Sequence, residues 1–150
     1  MTTTVPTVNG RVVALAHYAG RALVERVMAQ HGATFHQSVA LRAVVVAGES
    51  IGRDEPVGDV IGSLKIDESV VRGVIEELTA TKLLEEDPAE VSRSRLRLTD
   101  AGRELCESTA AETAEISARL YAGIPVEDLA IAGRVLTLVT ERANAELAGA

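Results

Sequence analysis

Cysteine is nearly absent from this chain: Cys106 stands alone among 150 residues. An internal disulfide is therefore excluded, which fits a reducing compartment, and Cys106 is expected to be a small buried apolar side chain. Long apolar runs are missing too. No stretch reaches the roughly 18 residues that a membrane span requires, and residues 1–7 hold neither a basic segment nor an apolar core. No membrane partner and no secretory leader are expected, and the expected location is cytoplasmic. His17, His31 and His36 lack the close pairings with one another or with cysteine that mark a zinc site, so no metal is expected. Glycine-rich phosphate loops, Gly-x-Ser-x-Gly elbows and paired-histidine motifs do not occur, so the reading is no cofactor and no enzyme.

What is present suffices for one core. With 47% hydrophobic residues, the 150-residue chain reads as a single domain, 1–150. The formal net charge is −7, unevenly spread: residues 1–50 carry four bases against two acids, residues 51–98 seven against eleven, and residues 99–150 four against nine. Three of the seven central bases are Arg93, Arg95 and Arg97, which makes a local basic finger on an acidic body.

From Gly10 to Gln30, Val12, Leu15, Ala16, Ala19, Leu23, Val27 and Met28 recur at helical spacing, predicting a long amphipathic helix that ends near Gly32. Thr34 can cap a second helix running to Ala47; almost every position from Val39 onward is apolar, so this helix should be central. The stretch from Gly48 to Asp54 reads as a loop. Pro56 suits the first turn of a short helix over Val57 to Leu64, with Asp54 or Glu55 available as cap. Lys65 and Ile66 make a turn, and Asp67 caps a further helix, Glu68 to Thr81, anchored by Val70, Val71, Val74, Ile75 and Leu78. Leu83 to Glu86 and Arg95 to Leu98 alternate as short strands around a Pro- and Ser-containing turn. Leu96 and Leu98 should face the core, which throws Arg95 and Arg97 to the opposite face. Thr99 or Asp100 caps a helix to about Tyr121, and Pro125 opens a last one to about Leu147.

Two short helices, a hairpin and a new helix make a winged helix-turn-helix, in which the second helix of the pair reads DNA. The fold class is thus mainly α with a small β-hairpin wing, the 34–98 winged helix-turn-helix being flanked by long dimerisation helices over 9–32 and 99–148. Helices of about 20 residues span some 30 Å, longer than the DNA-reading module needs for its own core. Leu129, Ile131, Val135, Leu136, Leu138 and Val139 crowd nearly all sides of the last one. A homodimer is the expected partner arrangement, a monomeric helical core the alternative.

The segment Leu98-Thr99-Asp100-Ala101-Gly102-Arg103-Glu104-Leu105, following the wing strand, together with this order of elements, resembles the MarR family of bacterial transcription regulators over nearly the whole chain. The resemblance implies a DNA-facing helix with Ser or Thr near its start and an Arg one turn later. Ser69 matches the first, and Arg72 lies one position before the usual Arg, whose place Gly73 takes. It also implies a wing acid followed two residues on by a minor-groove Arg; here Glu90 is followed by Ser92, with Arg93 next. The DNA-binding candidates are therefore Ser69, Arg72, Arg93, Arg95 and Arg97. Their alternatives are helix capping for Ser69, an ion pair with Glu68 or Glu76 for Arg72, and a solvated strand face for the wing arginines. The resemblance further implies a pocket for a small aromatic or anionic ligand between the dimer helices and the DNA module, where His17, Tyr18, Arg21, His36 and Gln37 offer a cation, donors and a ring.

The function expected is a sequence-specific, double-stranded-DNA-binding transcriptional regulator, a dimeric repressor of a palindromic operator released by a small ligand. The alternative is a winged-helix protein interaction module that has lost DNA binding, suggested by the net charge and by Glu68, Glu76 and Glu77 on the reading helix.

Overall fold

A computed structural model of the chain describes residues 5–87 and 95–149, without the side chains of Pro56 and Asp59. The chain divides into two compact units, residues 1–113 and residues 114–150.

In the first unit, α1 (Gly10–Gln30) starts where Asn9 Oδ1 accepts the Val12 N–H at 3.0 Å, filling one of the helix's orphan donors. It stops at Gly32, whose φ of 72° is the left-handed turn that ends many helices. A capping box opens α2 (Phe35–Val46): Thr34 Oγ1 accepts from Gln37 N, and Gln37 Oε1 accepts from Thr34 N. Ala40, Leu41 and Val44 are fully buried, and α2 packs against α1 and against the three elements α3 (Glu55–Leu64), α4 (Glu68–Ala80) and β3 (Arg95–Leu98). It is the central helix, although its last turn departs from the expectation: Val45 and Val46 are exposed.

The stretch expected as a loop after α2 contains a strand, β1 (Ser50–Gly52). With β2 (Leu84–Glu86) and β3 it forms a three-stranded antiparallel sheet in the order β1-β3-β2, so the expected hairpin gains an edge. Ile51 lies opposite Leu96 and Leu84 opposite Leu98; all four are buried, as are Val57 and Val60 of α3 and Val71, Val74, Ile75 and Leu78 of α4. Three residues with one apolar side chain show no alternation to read, and tertiary pairing makes β1. Val70, expected among the anchors, is exposed, because the helical step of about 100° per residue carries it off the buried stripe.

Helix α5 (Asp100–Tyr121) is capped by Thr99, whose hydroxyl accepts the Gly102 N–H at 3.0 Å and donates to Lys82 O at 2.6 Å. Gly102 is buried: a Cβ there would sit 2.2 Å from the Leu83 carbonyl oxygen, so only glycine lets α5 start against the β2 strand entry. Arg103 reaches Glu49 in the turn between α2 and β1, with Nε 3.0 Å from Oε1 and Nη2 2.7 Å from Oε2, while Nη1 takes Asp100 at 3.0 Å. Glu49 itself has a left-handed φ of 72°, and its carbonyl accepts the Leu98 N–H. The motif at the wing exit is thus a structural joint.

In the second unit, the end of α5 is followed by a turn at Gly123 and by α6 (Val126–Ala148). No residue of α6 is buried, and Ile131, Leu136, Leu138, Val139 and Leu147 are all exposed.

Candidate functional site

The turn from α3 to α4 passes through Lys65, which caps α3 in the left-handed conformation. Asp67 precedes α4 without a side-chain cap; its carbonyl accepts the Val70 and Val71 amides at 3.1 and 3.3 Å, which leaves the Glu68 and Ser69 amides, among the described residues, open to an external acceptor. Ser69 is exposed in that turn, and its hydroxyl takes no part in capping among the described residues. Arg72, one turn further, is already engaged. Its Nε lies 2.9 Å from Glu68 Oε1 and its Nη1 3.4 Å from Asp54 Oδ1. The hydrogen bond and charge of Glu68, ahead of those of Asp54, hold its pKa above the ordinary guanidinium value. The ion-pair alternative therefore describes Arg72 in the free protein, with Asp54 as a second acid that helical spacing could not show.

On the wing, Arg95 and Arg97 lie on the sheet face opposite Leu96 and Leu98, as period-two geometry requires. Arg95 donates to the Ser50 hydroxyl at 3.4 Å and to the Ser50 carbonyl at 3.3 Å. Arg97 pairs with Glu85, its register partner on β2, at 2.7 Å. Arg93 lies outside the described residues. The structure thus sets Ser69 and Arg72 on α4 and Arg95 and Arg97 on β3; no hydrogen bond or ion pair among the described residues joins the two sets. Two cations were missed. Lys65 is exposed at the turn into α4, where its ammonium donates to Gly62 O, and Arg53, after β1, pairs with Glu86 at 2.9 Å. The position of Lys65 in the short turn before α4 was the available signal.

A shallow depression of about 280 Å³ lies at the junction of α1 and α2, lined by Arg21, Glu25, Ala33, Thr34, Phe35 and His36. The Arg21 guanidinium sits 4.4 Å above the Phe35 ring centre and pairs with Glu25 at 2.7 Å. Of the five expected ligand residues, Arg21 and His36 reach this depression. His17 and Tyr18 are exposed on α1 with rings 6.0 Å apart and do not line it. Gln37 is committed elsewhere: one end closes the Thr34 cap and Nε2 donates to Glu77 at 2.9 Å. Phe35, the chain's one phenylalanine, was missed as the ring of the site.

Cys106 is half-buried; burial, and then the charges of Glu49 and Glu107, push its thiol above the ordinary value, against a reactive thiolate. Among the described residues no group of His, Cys, Asp and Glu could hold a metal, and no helix is long and apolar enough to cross a membrane.

No protein-family model and no curated protein sequence matches the chain. Solved structures do. BpsR of Bordetella bronchiseptica, described as regulated in its DNA binding by 6-hydroxynicotinic acid, is 29% identical, with a TM-score of 0.65 over 87% of this chain and 97% of its own. A mutant MarR of E. coli in complex with operator DNA superposes with a TM-score of 0.69 at 16% identity, over 87% and 91%. CouR of Rhodococcus jostii, bound to p-coumaroyl-CoA, gives 0.73 at 18%, over 87% and 90%. The chain shares the fold of these MarR-family structures. In MarR-family terms α3 and α4 are the helix-turn-helix and β1-β3-β2 is the wing, so Gly102 and Arg103 secure the wing to the helix that follows it.

Proposed function

We propose that this protein is a transcription regulator that binds DNA as a homodimer, represses from a palindromic operator, and is released by a small aromatic or anionic ligand. The observation that carries the reading is α4: a helix buried along one stripe and open along the other, entered through an uncapped first turn, in a fold shared with a regulator solved on its operator. In the dimer, α6 with α1 and α5 covers apolar side chains that the single chain leaves exposed. Two α4 helices then enter successive major grooves about 34 Å apart, reading half-sites about 10 base pairs from each other. Ser69 and the open amides take phosphate, Arg72 exchanges Glu68 and Asp54 for DNA, and Arg93, Arg95 and Arg97 follow the backbone or minor groove. A ligand entering the depression at Arg21 and His36 shifts the spacing only through different affinities for the two arrangements.

The test is fluorescence anisotropy on the DNA upstream of the protein's own gene, against scrambled DNA, across a salt series. Salt-sensitive binding that prefers the upstream DNA supports the regulator, and 6-hydroxynicotinic acid is the first ligand probe, because BpsR, at 29% identity, is described with it. The second reading, a protein interaction module, draws on Arg72 and Arg97 both being held by acids. It requires that no DNA be bound at low salt.

A further inference from the structure

The outward line of α4 carries no cation. Opposite the buried stripe of Val71, Val74, Ile75 and Leu78, the helical step of about 100° places Ser69, Gly73, Glu76 and Ala80, while Arg72 stands to one side against Glu68. Gly73 occupies the middle of this line. A Cβ built on it meets nothing within 4 Å and its backbone is ordinary right-handed helix, so neither packing nor strain in the fold calls for glycine there. Glycine weakens an exposed helix relative to alanine. Its gain lies outside the molecule: the bare backbone admits a partner closer to the helix axis than any side chain would.

One turn beyond is Glu76. The other two carboxylates of the helix are occupied, Glu68 by Arg72 and Glu77 by Gln37. Glu76 is exposed, without a hydrogen bond or ion pair among the described residues. A free carboxylate facing a major groove is repelled by phosphates and by the acceptors of guanine and thymine, and is attracted by an exocyclic amine. Adenine sets its N6 amine beside the N7 acceptor, whereas cytosine offers the N4 donor alone.

We infer that Glu76, brought within reach by the bare backbone at Gly73, accepts a hydrogen bond from a cytosine N4 amine and fixes one C·G pair in each half-site. This rests on the DNA-reading role proposed above. Arg72 then positions the helix and does not read guanine.

The experiment selects binding sites from a randomised DNA pool with the full-length protein and with Glu76→Gln, Glu76→Ala and Gly73→Ala, followed by affinities for single-base variants of the selected site. For the wild type, replacing the one cytosine is expected to cost about tenfold in affinity. Glu76→Gln is expected to move the preference at that position to adenine, which a glutamine meets through N6 and N7 together. Glu76→Ala removes the preference there and leaves the other positions unchanged. Gly73→Ala is expected to melt no lower than the wild type yet lose the same preference, so its defect cannot be misfolding. Equal affinity changes on all sequences with base preferences intact would overturn the inference, as would a wild-type preference for adenine at the affected position. Wild-type protein that binds no DNA at low salt removes the DNA-reading role itself; selective binding that ignores Glu76 removes this inference alone.

Discussion

Gly102 shows how one residue carries a joint. Its α-hydrogen occupies space that a methyl group would share with the Leu83 carbonyl oxygen at 2.2 Å and with the Leu98 side chain at 3.1 Å. Gly102→Ala is therefore expected to cost about 3 kcal/mol, read as a lower denaturation midpoint with an unchanged slope. Beside it, Glu49 makes stability depend on pH. Hydrogen bonds from Arg103 lower its pKa most, burial opposes them, and the charge of Arg103 adds to the lowering from the ordinary 4.5. A depressed carboxylate contributes stability that is fully present above its unfolded pKa and is lost as pH falls through the lower folded value. Stability of the wild type should fall from about pH 5 downward more steeply than that of Glu49→Gln, measured by urea midpoints across the acid range. The role of the wing-exit motif as structure was legible because glycine, a capping Thr and a helix start adjoin in sequence. Its partner Glu49 was not, since nothing local relates residues 54 apart.

At the scale of elements, the helices were legible wherever apolar spacing ran for three turns, as in α1, and where a capping residue stood at the start, as Thr34 does for α2; the reciprocal part of Gln37 in that cap emerges only in the fold. Thr34→Ala should cost about 1 kcal/mol, with Thr34→Ser close to wild type, by thermal or chemical denaturation. Strand β1 was illegible because it has no pattern of its own; β3 makes it a strand. The candidate DNA contacts were legible as residues but not as states. Glu68 stands four residues before Arg72, so that pair could be read as an alternative, while Asp54 and the register of Glu85 against Arg97 emerge only in the fold. That register has a measurable effect. Glu85→Gln releases Arg97 from its cross-strand acid, and DNA affinity should rise several-fold on all sequences, with a log–log salt slope steeper by up to about 1.

For the molecule as a whole, an acidic chain of 15.8 kDa that buries no residue of its last helix is proposed to be completed by a second copy. Sedimentation should report twice the chain mass, and a melting temperature that rises with protein concentration. Ile131→Glu with Leu138→Glu, seven residues apart on one face of α6, should return the chain mass. The double variant separates assembly from DNA reading, since α4 is untouched. The left-handed turns at the two ends of α4 carry a different consequence. Lys65, with φ 56°, and Lys82, with φ 62°, are both exposed and are the chain's two lysines. Apart from the α-amino group, amine acylation can therefore mark just the two ends of that helix. Two mass increments, slowed or not when DNA is added, give a footprint of α4 in the unmutated protein.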